Sequence, residues 1–527
     1  MPRLAALVIA VILAQAAPTF KAPAPRFADP ERRAKLATAF PEVDRIFQDY
    51  AAAAHVPGAA WGIIVDGELA HGGVTGFRDV PSKAPVTPDS VFRIASMTKS
   101  FTAIAILKLR DEGKLSLDDP AEKYVPEMKA LVYPTSDSPR LTIRHLLSHA
   151  EGFPEDNPWG DQQLAESDDQ MSAMIKAGIP FSNAPGVAYE YSNFGFAILG
   201  RIVGNVTRES PAIAPTAAYT KYVTEQVLKP LGMTSTTLEP SRVPADRLAH
   251  GYRWEDNQWK NEPLLANGSF GSMGGMLTTL SDLGRYVGAF LAAWPPRDGP
   301  ETPPIKRSSL REMQQVSRPA PGGVSRTASG AVQLNSGGYG YGLRVSQTCQ
   351  FPTVVAHGGG LPGFGTQMRW LPEYGVGLIA FGNKTYTSWP ATFDAVLDAL
   401  ARTGGLQPRQ IEPSPALVAA RDDVAKLVVK WDDAAAERLA AVNLFLDQSK
   451  DRRRAAIETL RTQVGACAAG SGFDRVENAL RGDWTMTCER GRLKVAITLA
   501  PTMPPKVQFL SVAAAPAADA ARPGACQ

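Results

Sequence analysis

The chain has 527 residues, a length that predicts two or three domains with substantial cores. Apolar residues make up 44% of the chain and charged residues 20%, which is ordinary for a globular protein. The net charge of +3 and the lack of any basic run with interleaved aromatic residues argue against nucleic acid or an anionic membrane surface as a partner.

The N-terminus predicts a secretory signal peptide over residues 1–16. Arg3 supplies positive charge ahead of the apolar run Leu4 to Leu13, and Ala14-Gln15-Ala16 offers a small-residue cleavage site. The run is too short for a permanent membrane helix, so we expect a secreted or periplasmic protein with no membrane span after cleavage. An uncleaved membrane anchor is the alternative. A Pro/Ala-rich lead over residues 17–30 follows.

The first predicted elements are a helix and a hairpin. Phe40 to His55 has the apolar spacing of an amphipathic helix. Ala60 to Gly76 predicts two short strands joined by the turn signal Asp66-Gly67. A helix followed by antiparallel strands favours an α+β fold over a parallel α/β sheet.

A candidate nucleophile stands at the start of the next helix. Ser96 and Lys99 precede Phe101 to Leu109, an apolar run that predicts a buried helix. Residues three apart share a helix face, so the Lys99 ammonium can approach the Ser96 hydroxyl. A desolvated lysine with a lowered pKa can remove the serine proton, and the helix dipole favours negative charge at Ser96. An ordinary helix start is the competing interpretation, because Ser-x-x-Lys is short enough to occur by chance.

The stretch Leu141 to His149 predicts a short helix with Thr142 as its N-cap. His145 and His149 lie four residues apart, as metal-binding histidines do, but no HExxH glutamate accompanies them. We therefore favour a histidine pair that packs the helix against the core, and we predict no metal site.

A second candidate pair follows Gly152 to Ala188, which its Pro, Gly, Asp and Asn content predicts to be a long loop. Tyr191 and Asn193 stand at a loop-to-helix junction, from which both side chains can point into a pocket. A lysine nearby can lower the pKa of the Tyr191 phenol, which can then act as a proton shuttle. The Asn193 amide can hold the lysine in place or bind an acyl group. Taken alone, two surface polar residues before a helix are the simpler interpretation.

Three stretches in the middle of the chain carry no predicted chemistry. Gly268 to Thr279 is a Gly-rich loop that lacks the Gly-Lys-Ser/Thr ending of a phosphate loop and matches no dinucleotide fingerprint. Trp294 to Pro304 and Pro319 to Gly338 are predicted to be surface loops.

A candidate substrate-binding edge lies in Val354 to Gly365, where an apolar strand is predicted to end in His357 and three glycines. Glycines after a strand let a substrate lie along its edge, where backbone groups can bind a carbonyl oxygen. A plain Gly-rich turn with a surface histidine is the competing interpretation. The three glycines are Gly358, Gly359 and Gly360.

Two more strands are predicted at Thr366 to Pro372 and Val376 to Asn383, and a Gly/Pro/Gln-rich linker follows at 404–415. Residues 416–527 then predict a small accessory α+β domain of three helices and three strands. It contains no histidine, so we assign it no chemistry; dimerisation, capping of a cleft and binding of cell-wall material all stay open. The predicted helices are Ala416 to Val428, Asp433 to Asp447 and Arg452 to Val464, and the strands are Trp484 to Cys488, Arg492 to Leu499 and Val507 to Val512.

The four cysteines are even in number and confined to the last third of the chain, which suits two structural disulfides in an oxidising compartment. Their spacing matches no zinc site. Three pairings are compatible with four cysteines. We favour Cys467 with Cys488, because both belong to the accessory domain, which leaves Cys349 for Cys526.

In chain order, the motifs Ser96-x-x-Lys99, Tyr191-x-Asn193 and His357-x-Gly359 resemble those of the serine β-lactamase and penicillin-binding-protein superfamily. The resemblance covers residues 31–403 and is closest to the class C β-lactamase-like branch, with its DD-peptidases, D-aminopeptidases and β-lactamase-fold esterases. It implies an antiparallel sheet flanked by helices together with a helical subdomain. The supporting stretches are Phe92 to Ser96, Leu146 to Gly152 and Gly360 to Phe364.

The resemblance also implies a mechanism that needs no metal or organic cofactor. Ser96 would form an acyl-enzyme, while Lys99 and Tyr191 would transfer protons. The backbone N–H of Ser96 and one near Gly360 would hold the oxyanion. Asn193 would orient the substrate and the lysine.

One departure from the family pattern bears on the substrate. His357-Gly358 stands where β-lactamases and many DD-peptidases carry Lys-Thr/Ser. A neutral imidazole and a residue without a hydroxyl should weaken the recognition of a substrate carboxylate. We therefore expect a hydrolase for esters, amides or peptides, with a β-lactamase or a penicillin-binding DD-carboxypeptidase as the alternative.

The expected partner is a small molecule or peptide with a scissile carbonyl, cell-wall peptides included, and no nucleic acid. A catalytically retired peptidoglycan-binding protein is the non-enzyme alternative, and the intact Ser96, Lys99 and Tyr191 argue against it. An α/β-hydrolase is disfavoured because no serine lies in a Gly-x-Ser-x-Gly elbow.

Overall fold

The computed structural model describes residues 26–301, 304–326, 332–470 and 472–515. The predicted signal peptide, most of the 17–30 lead and Cys526 lie outside the described residues, so the structure does not describe the predicted Cys349–Cys526 pairing. The chain divides into two compact units, one over Phe27–Arg409 and a C-terminal one that starts at Gln410 and includes Arg26. The division falls inside the predicted 404–415 linker.

The described residues of the first unit form twelve α-helices and fourteen strands. The helices are α1 Arg32–Ala37, α2 Phe40–Ala53, α3 Thr98–Asp111, α4 Ile143–Leu147, α5 Trp159–Gln162, α6 Asp168–Ala177, α7 Asn193–Thr207, α8 Pro215–Val223, α9 Gly271–Gly274, α10 Leu280–Ala293, α11 Arg307–Met313 and α12 Pro390–Arg402. The strands are β1 Gly58–Val65, β2 Glu68–Asp79, β3 Ala84–Pro85, β4 Phe92–Arg93, β5 Gly251–Glu255, β6 Gln258–Glu262, β7 Leu277–Thr278, β8 Arg318–Pro319, β9 Gly323–Arg326, β10 Val332–Tyr339, β11 Arg344–Gln347, β12 Val354–Leu361, β13 Phe364–Leu371 and β14 Val376–Gly382.

Ten of these strands form one antiparallel sheet. Its order is β3-β2-β1-β14-β13-β12-β11-β10-β8, and β9 pairs with β10. The β1–β2 hairpin turns at Asp66 and Gly67, as their sequence predicts, and β1 also pairs with β14 near the end of the unit. The antiparallel sheet confirms the predicted α+β class.

Helices cover both faces of the sheet because the side chains of a strand alternate between its faces. In β1, Trp61 and Ile63 pack into a cluster with Phe47 of α2 and Phe393 of α12. The next residue, Ile64, packs into the larger cluster on the other face, which contains the apolar sides of α3, α7 and α10. The helix α3, which follows the predicted nucleophile, is therefore held in the core of the unit.

Three segments predicted as loops contain regular structure, and one of them, Gly268 to Thr279, contains α9 and β7. Within 152–188, Ser167 caps α6 by accepting a hydrogen bond from the N–H of Gln170, and Met171 and Ile175 of this helix are buried. Within 319–338, β9 and β10 are strands. The glycines that suggested a loop there permit close strand contact, since a Cβ on Gly338 would lie 2.1 Å from the Arg318 carbonyl oxygen.

The strand β12 does not end at His357, as the sequence suggested, but runs on to Leu361. Backbone pairing with β13 continues through this stretch, with Gly358 opposite Gln367 and Gly360 opposite Gly365. The glycines are thus part of the strand rather than of a loop that follows it.

The C-terminal unit has its own apolar cluster and a four-stranded antiparallel sheet in the order β15-β16-β17-β18. The predicted helix Asp433 to Asp447 is two helices, because Ala440 is extended and forms a bridge with Val507. Cys467 and Cys488 are joined by a disulfide. The described elements are α13 Pro415–Val429, α14 Asp433–Leu439, α15 Leu444–Asp447, α16 Lys450–Val464, β15 Arg475–Asn478, β16 Arg481–Cys488, β17 Gly491–Leu499 and β18 Val507–Ala514. Across the residues that the structure describes, none of the helices has the length and apolar character needed to cross a membrane.

Candidate active site

Ser96 lies in a single 3₁₀ turn, Ala95–Met97, directly ahead of α3. Ala95 has a φ of 48°, a left-handed conformation that residues with a Cβ rarely adopt. The Thr366 hydroxyl donates to the Ile94 carbonyl at 3.0 Å and ties the turn to β13. Strained backbone persists only where its surroundings fix it, and such strain clusters at functional sites.

Lys99 is fully buried one turn after Ser96. Its Nζ lies 3.1 Å from Ser96 Oγ, 2.7 Å from Asn193 Oδ1 and 3.0 Å from the Met273 carbonyl oxygen. Burial lowers the pKa of Lys99 to about 7, although the negative charge of Asp161 opposes this change. The two carbonyl oxygens can accept both N–H bonds of a neutral amine, which leaves the nitrogen lone pair for the Ser96 hydroxyl proton.

Asn193 is held at the N-terminus of α7. Ser192 caps this helix by accepting a hydrogen bond from the Gly195 N–H at 3.1 Å, and Asp156 accepts the N–H of Asn193 at 2.7 Å. The Asn193 amide donates from Nδ2 to Asn157 Oδ1 at 2.7 Å. Its oxygen is therefore directed at Lys99, as the predicted role in orienting the lysine requires.

Tyr191 is 7% exposed and lies beside both predicted catalytic groups. Its ring centroid is 4.8 Å from Lys99 Nζ, and its hydroxyl forms a hydrogen bond with Ser96. The expectation that the pKa of the phenol is lowered is wrong. Burial raises the pKa of Tyr191 above its ordinary value, and this effect outweighs that of its hydrogen bond with Ser96, which lowers the pKa. Tyr191 is therefore protonated at neutral pH.

The two histidines after Leu141 have separate roles. His145 lies in the capping box of α4, where its Nδ1 accepts the N–H of the predicted cap Thr142 at 3.2 Å. His149 is fully buried, its ring centroid is 4.4 Å from that of Tyr191, and its Nδ1 accepts the Ser192 N–H at 3.1 Å. His149 therefore braces the Tyr191 segment. In the described ranges, no three His, Cys, Asp or Glu side chains are grouped so as to hold a metal ion.

His357 is 2% exposed, so its interpretation as a surface histidine is wrong. Its Nδ1 lies 2.6 Å from the Gly358 carbonyl oxygen, and its Nε2 lies 2.8 Å from the Tyr339 hydroxyl. Because a carbonyl oxygen only accepts, Nδ1 carries the proton and Tyr339 donates to Nε2. Burial lowers the pKa of His357 to about 3, so the imidazole is neutral and its hydrogen bonds are made within the protein.

The glycine stretch of β12 has one open edge in the part of the chain that the structure describes. Its pairing with β11 ends at Ala356, whereas its pairing with β13 continues to Leu361. A Cβ on Gly359 would lie 2.1 Å from the Ile94 carbonyl oxygen, so a larger residue cannot approach the Ser96 turn this closely. The open edge beside Ser96 is where a substrate carbonyl can meet backbone N–H groups.

These elements surround a cleft of about 580 Å³. Five of the predicted residues line it: Ser96, Tyr191, His357, Gly358 and Gly360. The other predicted residues, Lys99, Asn193 and Gly359, are not among its lining residues. Six lining residues were missed by the sequence analysis: Glu155, Asn157, Pro158, Asp161, Arg344 and Tyr386.

Arg344 is the missed residue that most changes the expected chemistry. Its side chain is exposed in the cleft, and its guanidinium carbon lies 5.8 Å from the Tyr191 ring centroid. Among the described residues it forms no ion pair with a carboxylate. Only the sheet register reveals its position, because Arg344 pairs with Ala356, the neighbour of His357. No motif in the sequence marks it.

Comparison with known proteins gives a consistent result. Residues 43–403 match the family model described as Beta-lactamase. Protein flp of Staphylococcus aureus (strain COL) is 28% identical over 348 residues, which cover 65% of this chain and 62% of that protein. Beta-lactamase-like protein 2 of Dictyostelium discoideum is 35% identical over 209 residues, which cover 38% of this chain and 36% of that protein.

Solved structures share the fold at low sequence identity. The octameric penicillin-binding protein homologue from Pyrococcus abyssi superposes with a TM-score of 0.57 at 21% identity, over 88% of this chain and 96% of that one. A class C beta-lactamase superposes with a TM-score of 0.53 at 20% identity, over 71% of this chain and 98% of that one. These similarities confirm the predicted β-lactamase-like fold.

Proposed function

The chain belongs to the beta-lactamase family, whose members are generally serine hydrolases, and on this premise we propose that it is a secreted or periplasmic hydrolase that cleaves ester or amide bonds through an acyl-Ser96 intermediate. The observation that most directly supports this proposal is the 3.1 Å contact between Lys99 Nζ and Ser96 Oγ. The amine is fully buried and its pKa is lowered to about 7. A neutral lysine at this distance is an adequate base for a serine hydroxyl.

The reaction starts when Ser96 Oγ attacks the substrate carbonyl and its proton passes to Lys99. The oxyanion receives hydrogen bonds from the backbone N–H of Ser96 and from that of Gly360 on the open edge of β12. The protonated phenol of Tyr191 then gives its proton to the leaving group and is reprotonated from Lys99. Water releases the acyl group by the reverse proton path, which regenerates Ser96.

The neutral His357 favours substrates without a tightly bound carboxylate, but Arg344 favours a second candidate. An arginine can bind a carboxylate through two parallel hydrogen bonds, and Arg344 is exposed in the cleft with no carboxylate partner among the described residues. A β-lactam or a peptide with a free C-terminal carboxylate therefore stays a candidate substrate. The binding contact would come from β11 rather than from the third motif.

A panel of p-nitrophenyl esters, peptide amides and benzylpenicillin tests the proposal. We expect ester or amide turnover that Ser96→Ala abolishes. Ser100→Ala is the matched control, because Ser100 lies on the same buried helix but donates to the Met97 carbonyl and is not a lining residue of the cleft. Full activity in Ser96→Ala would remove Ser96 from the mechanism, and no turnover of any substrate would favour a binding protein.

The same panel separates the two candidate substrate classes. If Arg344 binds a carboxylate, Arg344→Gln should raise KM for benzylpenicillin at least tenfold and change KM for a neutral ester far less. Equal effects on both substrates would mean that Arg344 has a structural role.

A further inference from the structure

We propose that a basic pocket outside the catalytic cleft binds the phosphate group of an organic phosphate. Most of the residues that line this basic pocket belong to the segments 224–229 and 233–247. Its volume of about 470 Å³ lies within the roughly 300–1,000 Å³ that is usual for small-molecule sites. None of its lining residues also lines the catalytic cleft, so binding there would be independent of the proposed hydrolysis.

The charged residues that line the basic pocket all have the same sign. They are Lys229, Arg242 and Arg247, and no lining residue is acidic. Neither Lys229 nor Arg247 has a carboxylate at ion-pair distance among the described residues. Arg242 pairs with Glu239 at 2.7 Å, but both side chains are exposed, and such surface pairs contribute little. A concave surface of one charge attracts a ligand of the opposite charge.

Two hydroxyl groups of the basic pocket add hydrogen-bond donors. Ser235 Oγ accepts a hydrogen bond from Arg247 Nη2 at 3.2 Å. Thr237 Oγ1 accepts the Glu239 N–H at 2.9 Å. A hydroxyl that accepts in this way still has its own proton to donate, and neither hydroxyl donates to another described residue. Together with arginine, which binds phosphate oxygens through parallel hydrogen bonds, they can surround a phosphate group.

The backbone around the basic pocket is fixed before any ligand binds. Asp282 of α10 accepts the Ser235 N–H and the Thr236 hydroxyl, each at 2.8 Å. The Thr237 backbone forms a bridge with β7. In the other lining segment, Thr224–Leu228 forms a π-helical turn, a rare geometry that often occurs at functional sites. Donors that are already in place cost less ordering entropy when a ligand binds.

Apolar lining residues favour an organic phosphate over free phosphate. Leu228 and Met233 are buried residues of the basic pocket, whereas Val243 is half-buried and Pro244 is exposed. A carbon-containing part of the ligand would cover this apolar surface and gain free energy by doing so. A phosphate ester combines such a part with the negative charge that the three cations attract. A carboxylate has a single charge and two oxygens, so it would use fewer of the donors.

Calorimetric titration with phenyl phosphate tests the inference. We expect one molecule to bind per chain, at least tenfold more tightly than benzoate, which has the same ring but a single negative charge. Inorganic phosphate, which lacks the ring, should bind severalfold more weakly. The double variant Lys229→Gln, Arg242→Gln should weaken phenyl phosphate binding at least tenfold and keep its melting temperature, because both side chains are exposed. No saturable binding, or an affinity no higher than that of either comparison ligand, would overturn the inference.

Two control variants exclude binding elsewhere. Lys129→Gln, Lys176→Gln removes the same charge from two exposed lysines that do not line the basic pocket and form no ion pair among the described residues. Arg344→Gln removes the arginine of the catalytic cleft. Both variants should keep the wild-type affinity for phenyl phosphate. An equal loss in the lysine control would mean attraction by net charge alone, and a loss in Arg344→Gln would place the ligand in the catalytic cleft. Either result would overturn the inference.

Vesicle sedimentation distinguishes the source of the phosphate group. Phosphatidylglycerol vesicles that bind the wild-type protein, but not the Lys229→Gln, Arg242→Gln variant, would assign the basic pocket to a lipid headgroup. Phenyl phosphate binding without vesicle binding would assign it to a soluble phosphate ester. Both results support a phosphate site, whereas vesicle binding that is equal in the two proteins, without phenyl phosphate binding, would contradict it. No readout depends on turnover, so an inactive protein that binds phosphate would contradict only the proposed function.

Discussion

At the scale of single residues, the proposed mechanism divides the proton transfer between Lys99 and Tyr191. Burial lowers the pKa of the amine to about 7 and raises that of the phenol, so the two groups are shifted in opposite directions. In the free protein, Lys99 is therefore the group that can accept the Ser96 proton, and Tyr191 is the group that can donate one. Environments that push two pKa values in opposite directions are how a site acquires both an acid and a base.

The first prediction concerns pH. Lys99 works as a base only when neutral, so kcat/KM for a neutral ester should fall tenfold per unit as the pH drops below about 7. The charged groups that act on Lys99 are Asp161, Asp156, Glu155 and Arg344, and the pKa of Asp161 is raised to about 6. A flat profile between pH 5.5 and 8, measured with a broad buffer series, would exclude Lys99 as the base.

Removal of the Asp161 charge should move that profile. The Asp161 carboxylate raises the pKa of Lys99 against the effect of burial. Asp161→Asn should therefore lower the pKa of Lys99 and shift the acidic limb of kcat/KM to lower pH. Asp169→Asn, which removes an exposed carboxylate on α6 that does not line the cleft, is the control and should leave the limb in place. A shift to higher pH in Asp161→Asn would show that the carboxylate acts on Lys99 in some other way.

Sequence reasoning located Ser96, Lys99, Tyr191 and Asn193 because short fixed spacings place them on helix starts. It missed Arg344 and Asp161 because no short motif separates a charged residue of the active site from an ordinary one on a strand or in a four-residue helix. Their positions depend on the pairing of β11 with β12 and on the packing of Gly160 against Asn193. The direction of the Tyr191 pKa was mispredicted because burial depends on the whole fold.

At the scale of elements, the proposed mechanism links the capping of α7 to catalysis through Asn193. Asp156 accepts the N–H groups of Asn193 and Phe194 at 2.7 and 2.8 Å. Asp156→Ala should cost about 1–2 kcal/mol of unfolding free energy, as the loss of a helix cap does. It should also lower kcat, because Asn193 would hold Lys99 less firmly.

A cap elsewhere in the same unit is the control for that variant. Ser167 caps α6 by accepting the Gln170 N–H at 3.2 Å and is not a lining residue of the cleft. Ser167→Ala should lower stability, measured by urea unfolding, yet leave kcat unchanged. If both variants lowered kcat equally, capping of α7 would have no special link to the active site.

The strand β12 gives another prediction at this scale. A Cβ on Gly358 would lie 3.1 Å from the nearest atom, the side-chain Oε1 of Gln367, whereas a Cβ on Gly359 would meet the Ile94 backbone at 2.1 Å. Gly358→Ser should therefore fold with a near-normal melting temperature, and Gly359→Ser should be severely destabilised. Equal melting temperatures for the two variants would show that β12 is not packed against the Ser96 turn as described.

The helices and strands that the sequence predicted correctly have strong periodic patterns, as in α2, α3 and the β1–β2 hairpin. The predictions for 319–338 and for the end of β12 were wrong, because glycine there marks close approach between strands rather than a loop. Whether a glycine ends a strand or lets a neighbour approach depends on which segments pair, and that is decided far along the chain.

At the scale of the whole molecule, all residues that line the cleft belong to the unit Phe27–Arg409. The disulfide Cys467–Cys488 closes a 21-residue interval within the C-terminal unit. Replacement of both cysteines by alanine should cost about 3 kcal/mol of stability in that unit. Ester hydrolysis should change less than twofold, as measured below the melting temperature of the variant. A large loss of kcat would assign the C-terminal unit a part in catalysis.

The most direct test of the acyl-Ser96 mechanism is an intact-mass time course of the protein mixed with a p-nitrophenyl ester. We expect a mass increase of one acyl group, located on Ser96 by peptide mapping, which forms in Ser100→Ala and is absent from Ser96→Ala. Lys99→Met should slow its formation by about 10²–10⁴-fold. An acyl adduct on another residue, or turnover in Ser96→Ala at the wild-type rate, would contradict the role of Ser96 as the nucleophile.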